Sequence, residues 1–448
     1  MYTSLVSSLL FPLHERLKRH DSVAVRRSLE DSQWWTADRL RALQLDRLRA
    51  LLRDVAQHVP YYRDQFRASG FDPAAVHRLA DLQQLPLLTK ADIRTHSDAL
   101  RHAHAKTLSR FNTGGSSGEP LVFFIGKERV SHDVAAKWRA TRWWDVDIGD
   151  PEVVVWGSPI ELGAQDKLRA WRDRLLRTEL LPAFAMSDAK VDGFIQAIRT
   201  RRPRMLFGYP SALSHIARHA RKTGVRMDDL GIRVAFVTSE RLYDEQRADI
   251  GAVFGCPVAN GYGGRDAGFI AHECPHRGMH VTAEDIIVEI IDAHGRPLPP
   301  GQLGEIVVTH LATRDFPFIR YRTGDMAVAD DARCACGRGL PMLREIQGRS
   351  TDFVVAADGT VMHGLALIYV LRDLAGVQAF KIVQETLQHT HVQLVTDERF
   401  NAPSAASIVS GFKRRLGEQV AVTLEHVPAI APEKSGKFRY VVSRVHPA

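Results

Sequence analysis

Thr113-Gly114-Gly115-Ser116-Ser117-Gly118-Glu119-Pro120 packs three glycines, three hydroxyl side chains and a closing proline into eight positions. Glycine tolerates positive φ and lets successive backbone N–H groups face one ligand, and Thr113, Ser116 and Ser117 add donors suited to phosphate oxygens. The apolar run Leu121–Ile125 that follows reads as a buried strand, which gives the loop a rigid edge. No Gly-Lys-Ser/Thr follows, so this is not a Walker loop, and strand and helix come in the wrong order for the dinucleotide fingerprint. Taken alone, the stretch fits a phosphate cradle and a Gly/Ser surface turn equally well. Its neighbours decide.

Downstream, apolar strands end repeatedly in small and polar residues. Val153–Trp156 enters Gly157-Ser158-Pro159. Met205–Phe207 enters Gly208-Tyr209-Pro210-Ser211, where Ser211 is expected to cap a helix over Ala212–Lys222. Val234–Val237 ends in Thr238-Ser239-Glu240. Strands alternating with helices predict an α/β fold with mostly parallel sheets, and such sheets bind ligands beyond their strand ends. Upstream, Leu45, Leu48, Leu52, Val55 and Val59 recur at helical spacing over Arg39–Val59, and Pro60 ends that helix. Thr89 is expected to cap another. After residue 280 the texture becomes β-rich, and beyond about 350 strands and a helix near Ala405–Leu416 predict a small α+β lobe. The expected division is a large N-terminal domain over 1–349 and a mobile C-terminal lobe over 350–448.

The 448 residues are 45% hydrophobic and 25% charged, ordinary for a globular protein. The net charge of +8 favours anionic ligands, but no basic motif interleaved with aromatics points to nucleic acid. No apolar run reaches transmembrane length. Ser4–Leu13 is apolar but short and lacks a basic leader and a cleavage site, so a cytoplasmic protein is expected. The basic, apolar N-terminal region leaves room for weak membrane attachment. No Ser sits on a G-x-S-x-G elbow, and no catalytic triad stands out.

Four further segments suit a nucleotide. Gly261-Tyr262-Gly263-Gly264-Arg265-Asp266 sets an aromatic face beside glycines and an acid. Phe318-Ile319-Arg320-Tyr321-Arg322-Thr323-Gly324-Asp325 ends in an acid after a turn glycine. Gln347-Gly348-Arg349 offers a forked donor, and Glu433-Lys434-Ser435-Gly436-Lys437 sets a lysine on a Gly/Ser loop. In this order, from about His58 to Lys437, the segments resemble the adenylate-forming superfamily, in its phenylacetate–CoA ligase branch with CapK-like and deazaflavin-adenylylating relatives. The resemblance implies that Thr113, Gly114, Gly115, Ser116, Ser117 and Gly118 hold the ATP phosphates. It implies that Ser239 and Glu240 line the adenine pocket beside Gly263, that Tyr262 stacks on adenine, and that Asp325 binds the ribose with Arg349 in support. Lys437 would bridge carboxylate and α-phosphate, and Asp266 would place Mg²⁺. This chain has aspartate at 266 where the family usually has glutamate, and Ser350-Thr351-Asp352 where adjacent acidic hinge residues are common.

The expected activity is therefore ATP-dependent ligation of a carboxylic acid, aryl or acyl, to a thiol by way of an acyl-adenylate. The thiol would be coenzyme A or the phosphopantetheine of an acyl carrier protein, and a homodimer is compatible with the reading. Two rivals stay open: an adenylyltransferase that stops at an AMP ester, and a degenerate nucleotide-binding scaffold. Trp156, Phe207, Gly208 and Tyr209 are candidates for an apolar substrate pocket, with core packing as the alternative. Cys334 and Cys336, in one tight turn, join Cys274 and His280 in a Cys₃His set, a common closed structural zinc site. Buried reduced thiols are the alternative, zinc-bearing relatives favour the metal, and His272 and His276 are rival fourth ligands. Cys256 reads as a core thiol.

Overall fold

The computed structural model describes residues 2–112, 121–156, 172–183, 185–347, 353–372, 374–430 and 440–445. The chain divides into two compact units, one of Met1–Thr113, Leu121–Gly149 and Ala259–Gly348, the other of Gly114–Pro120, Asp150–Val258 and Arg349–Ala448. Among the described residues no helix is long and apolar enough to cross a membrane.

In the first unit, antiparallel strands run in the order Ile286–Ile291, Leu303–His310, Tyr321–Asp330, Met342–Gln347, Met279–Val281, Gly268–Glu273 and Val258–Gly264. A hairpin of Ser109–Asn112 and Val122–Ile125 pairs Asn112 with Val122, so strands border the glycine-rich stretch on both sides. The long helix Ala37–His58 buries Leu40, Leu48, Leu51, Leu52 and Val55 along one stripe. It starts where the Thr36 side chain accepts from the Arg39 amide, and it stops because Pro60 opens the next helix, Pro60–Ser69. Thr89 caps Lys90–Thr95 through a reciprocal box with Asp92, as its sequence predicts.

The second unit holds parallel strands in the order Thr178–Pro182, Glu152–Trp156, Met205–Gly208 and Val234–Thr238. Val234–Val237 is buried throughout, as a strand covered on both faces must be. One cap differs from expectation: Tyr209 is the N-cap of Pro210–Lys222, and Ser211 lies inside the first turn. Pro210 explains the shift, because its fixed φ and missing N–H suit the first helical position. The same unit carries a sheet of Ala421–His426, His389–Thr396, Val377–Thr386 and Val441–Ser443. With the helices Leu365–Arg372 and Ala402–Leu416, this sheet closes on a core of its own that includes Leu367, Phe380, Ile382, Leu394 and Phe412.

An ion pair is sealed inside the first unit. Arg139 donates to Glu284 at 2.7 Å with both side chains 1% exposed, and Ser32 Oγ and the Leu29 carbonyl complete the contact. Removing one partner of such a pair strands the other charge. Arg139→Ala is expected to cost about 3–5 kcal/mol in chemical denaturation. Pairing Arg139→Met with Glu284→Gln should recover most of that loss.

Candidate active site

Two of the sequence motifs meet in the first unit, and they meet crosswise. Tyr262 Oη, from the glycine-rich turn, donates to Asp325 Oδ2 at 3.0 Å. Tyr321 Oη, from the second motif, donates to Asp266 Oδ2 at 2.6 Å. Each motif therefore supplies one phenol and one carboxylate to the other. Asp325 reaches its position through a bulge: Arg322 pairs with Val307 and Met326 with Glu305, so the strand carries extra residues around Gly324 at φ +80°. The bulge re-aims the acid. Gly263 is required by close approach, since a Cβ there would lie 2.2 Å from the Gly268 carbonyl oxygen.

Beneath the turn lies Arg129, 1% exposed. Its guanidinium donates to Asp133 Oδ2 at 2.9 Å and to the carbonyls of Arg265 at 3.2 Å and Asp266 at 3.4 Å. The backbone that carries Asp266 is thus held by a rigid fork. Arg320, inside the second motif, faces away from this cluster's chemistry. It binds both oxygens of Glu289 and the carbonyls of Leu85 and Gln83, which makes it a structural tie.

In the second unit the strand ends carry an aromatic stack. Trp156 and Tyr209 lie face to face with centroids 4.3 Å apart, and Phe207 stacks on Trp156 at 5.9 Å. Gly208 lets the strands come together, because a Cβ there would meet the Val155 carbonyl at 2.5 Å. Ser239 has φ +72°, a strained setting for a serine. Next to it, Glu240 Oε2 accepts from the hydroxyl and, at 3.4 Å, from the amide of Ser211 in the first turn of its helix. Thr113, Gly114, Gly115, Ser116, Ser117, Gly118, Arg349 and Lys437 lie outside the described residues.

Cys274, His280, Cys334 and Cys336 converge in the first unit, with their ligand atoms all within 4.8 Å of one another. Cys274 and Cys334 sulfurs are 3.6 Å apart, and Cys336 Sγ is 3.2 Å from His280 Nε2. His280 Nδ1 lies 3.4 Å from the Leu340 carbonyl, which leaves Nε2 with its lone pair toward the sulfurs. Burial pushes the Cys274 thiol up to about 12 and the His280 imidazole down to about 4. Gly278 makes room, since a Cβ there would sit 2.7 Å from Cys334 Sγ. The rival ligand His272 stacks on Phe269 instead, and His276 is exposed. Cys256 is a buried core thiol. A second group brings together Asp54, His58 and His102. His58 Nδ1 lies 3.1 Å from Asp54, and the Nδ1 of His102 accepts the His104 amide, so its Nε2–H faces the Asp54 carboxylate.

The model of the AMP-binding enzyme family matches residues 180–312, and that of the CapK C-terminal domain matches 354–444. A phenylacetate-coenzyme A ligase of Thermus thermophilus is 26% identical over 439 residues, covering 90% of this chain and 96% of that enzyme. Protein CapK of Staphylococcus aureus is 23% identical over 417 residues, covering 90% of this chain and 89% of its own. The chain carries an AMP-binding enzyme domain and a CapK C-terminal domain, and it is similar over most of its length to phenylacetate-coenzyme A ligase and to CapK. The fold is also that of 2-hydroxyisobutyryl-CoA ligase in complex with 2-HIB-AMP and CoA in the thioesterification state. That structure matches with a TM-score of 0.66 at 22% identity, over 92% of this chain and 91% of the other.

Of the superfamily positions read from sequence, the structure brings Tyr262, Gly263, Asp266 and Asp325 together in one unit and Trp156, Phe207, Gly208, Tyr209, Ser239 and Glu240 into the other. Sequence reading missed Arg129, which belongs to no motif and whose carbonyl partners lie more than 130 residues away. The close approach at Gly263 is testable. Gly263→Ala should destabilise the protein by roughly 1–3 kcal/mol, because the hairpin must open to admit a methyl group. Gly193→Ala, on an exposed helical position with nothing within 4 Å, should instead gain about 0.5–1 kcal/mol. Urea titration of the two variants checks both signs.

Proposed function

We propose that this protein is an ATP-dependent carboxylic acid–thiol ligase of phenylacetate–CoA ligase type. The acid attacks the α-phosphorus of ATP, giving an acyl-adenylate and pyrophosphate; the thiol of coenzyme A then displaces AMP to leave a thioester. The observation that carries this reading is the crossed pairing of Tyr262 with Asp325 and Tyr321 with Asp266, in a chain that matches a phenylacetate-coenzyme A ligase over 96% of that enzyme's length. Tyr262 offers adenine a ring whose phenol is tied down, and Asp325 offers the ribose an acid. We assign phosphate binding to Thr113–Gly118, and to Ser239 and Glu240 the wall of the adenine pocket, with Arg349 supporting the ribose. Residues 1–349 form the adenylation domain in this reading. Residues 350–448 form the lobe that delivers Lys437, supported by the CapK C-terminal match at 354–444 and by that region's separate core. Trp156, Phe207, Gly208 and Tyr209 supply an aromatic wall for an aryl or acyl acid. An acyl carrier protein in place of coenzyme A and a homodimer belong to the same proposal, as does a cytoplasmic setting in which the thiols stay reduced.

Asp266 fits a hydrated Mg²⁺. Each of its oxygens already accepts one hydrogen bond, from Tyr321 Oη and from the Ala267 amide at 3.1 Å, and each keeps a second acceptor site. Arg129 positions this acid through the backbone. The test is acid-dependent pyrophosphate release from ATP, run with and without coenzyme A. Release with a matched acid, and thioester only when coenzyme A is present, is the expected result; release with no thioester would favour the adenylyltransferase. Lys437→Ala should abolish release yet largely spare thioester formation from a supplied acyl-adenylate. Asp266→Asn should slow release at least about tenfold, about 1.4 kcal/mol of barrier. Asp266→Glu should lower the Mg²⁺ concentration needed for half-maximal rate.

We also propose a structural zinc on Cys274, His280, Cys334 and Cys336. The sulfur and nitrogen separations suit a tetrahedral ion with Zn–S bonds of about 2.3 Å and Zn–N bonds of about 2.0 Å. The Leu340 carbonyl fixes the histidine tautomer that such an ion needs. Metal analysis of protein purified without chelator should find one zinc per chain, and Cys334→Ser should lose the zinc and melt at lower temperature. A folded, zinc-free wild type would remove the ion from the proposal.

A further inference from the structure

Residues 2–17 form one helical segment, Tyr2–Leu5, Val6–Leu10 and Phe11–Leu17, in which the middle turn is a π-helix. Pro12 has no N–H to give back, and the helix widens in the turn before it. One side of the segment is anchored. Val6 is fully buried against Gly149, and Phe11 meets the Trp138 ring edge-on at 5.2 Å. The other side is largely exposed. Tyr2, Leu5, Leu9, Leu13 and Leu17 are 41%, 45%, 56%, 52% and 76% exposed. They are spaced by three, four, four and four residues, so they form one stripe about 22 Å long at 1.5 Å per residue. Five of the eight large hydrophobic side chains exposed among the described residues lie on it. Core packing cannot account for them, because the core-facing positions of this segment are different residues.

Charge indicates what covers the stripe. Arg16, Lys18 and Arg19 are exposed at its C-terminal end. The one acid within residues 2–20, Glu15, is turned inward, where it accepts from Ser22 Oγ at 2.5 Å and lies within 3.2 Å of His14 and His20. The next acid, Asp21, opens the following helix. An apolar face that ends in a cluster of cations, with its carboxylate withdrawn, is an arrangement suited to lie in the plane of an anionic membrane surface. We infer that the outward face of residues 2–19 docks this protein on anionic lipid bilayers. Tyr2, Leu5, Leu9, Leu13 and Leu17 enter the acyl boundary, and Arg16, Lys18 and Arg19 meet the lipid phosphates. The ligase site is not involved, so the inference stands or falls apart from the proposed activity.

The experiment is flotation of the full-length protein with vesicles of phosphatidylglycerol and phosphatidylcholine, against phosphatidylcholine alone. Wild type should float with the anionic vesicles, bind the neutral ones at least about tenfold more weakly, and be released as salt rises from ~0.1 M to ~0.5 M. Leu9→Gln/Leu13→Gln should cut binding to anionic vesicles at least about tenfold with an unchanged melting temperature, because both side chains are exposed. Arg16→Gln/Lys18→Gln/Arg19→Gln should bind the two vesicle types equally weakly. Failure of wild type to float, or a Leu9/Leu13 variant that floats as well as wild type, overturns the inference. So does a wild-type dimer in sedimentation velocity that the same variant converts to monomer, which would give the stripe to a second copy of the chain.

Discussion

Two hydrogen bonds between tyrosines and aspartates organise the candidate site. Tyr262 and Asp325 are 63 residues apart, and Tyr321 and Asp266 are 55 apart. Each bond has a carboxylate as acceptor, the stronger class of hydrogen bond. Their effect is mutual: the ring that faces outward from one motif is fixed by the acid of the other. Neither acid can rotate freely, and neither ring can swing about its Cα–Cβ bond without breaking its hydrogen bond. Moving either motif alone would therefore cost both its own geometry and that of its partner. A site that must hold a base and a ribose at fixed separation depends on this kind of preorganisation, since the ordering cost is met in folding and not at binding.

The pairing is supported from below by buried charge. Arg129 is as buried as a leucine, yet it is matched by Asp133, by two backbone carbonyls and by Thr313 Oγ1 at 3.4 Å. Burying a guanidinium is costly unless its donors are used. What the protein gains is geometry, since hydrophobic residues of similar volume could fill the space but could not hold two successive carbonyls. Arg320 does the same at the edge of the second motif, joining Glu289 to the carbonyls of Leu85 and Gln83 from an αL backbone at φ +51°. One motif thus contains both a site acid, Asp325, and a structural cation, Arg320, five residues apart.

That mixture explains what could be read from the sequence. Periodicity located the helix Ala37–His58 and the buried strand Val234–Thr238, because a stripe and a continuous apolar run are local patterns. The cysteines were legible because few residue types bind zinc, and Cys274, His280, Cys334 and Cys336 do converge. The role of Arg129 was not legible: one arginine among many carries no signal until its partners 136 and 137 residues away are known. The Ser211 cap was misread because Pro210 also suits a helix start, and geometry, not composition, chose between them. Tyr321 was quoted within a motif but given no role, since the acid it holds lies in another motif.

The aspartate at 266 gains its meaning from these contacts. Relative to glutamate it is shorter by one methylene, so its carboxylate stands nearer the backbone and reaches less far toward a ligand. It also has one fewer rotatable bond and loses less entropy when fixed. A short acid can serve only if the backbone beneath it is placed accurately, and here the Asp266 and Arg265 carbonyls are gripped by Arg129. The carboxylate itself is oriented by Tyr321 on one oxygen and the Ala267 amide on the other. A longer side chain could search for its ligand, whereas this one must already be in place. The distance left to a metal is about one C–C bond longer, which a metal-bound water can span, because Mg²⁺ commonly retains several waters beside one or two carboxylates. Aspartate at this position is therefore consistent with an intact site, provided that Arg129 and Tyr321 keep it still.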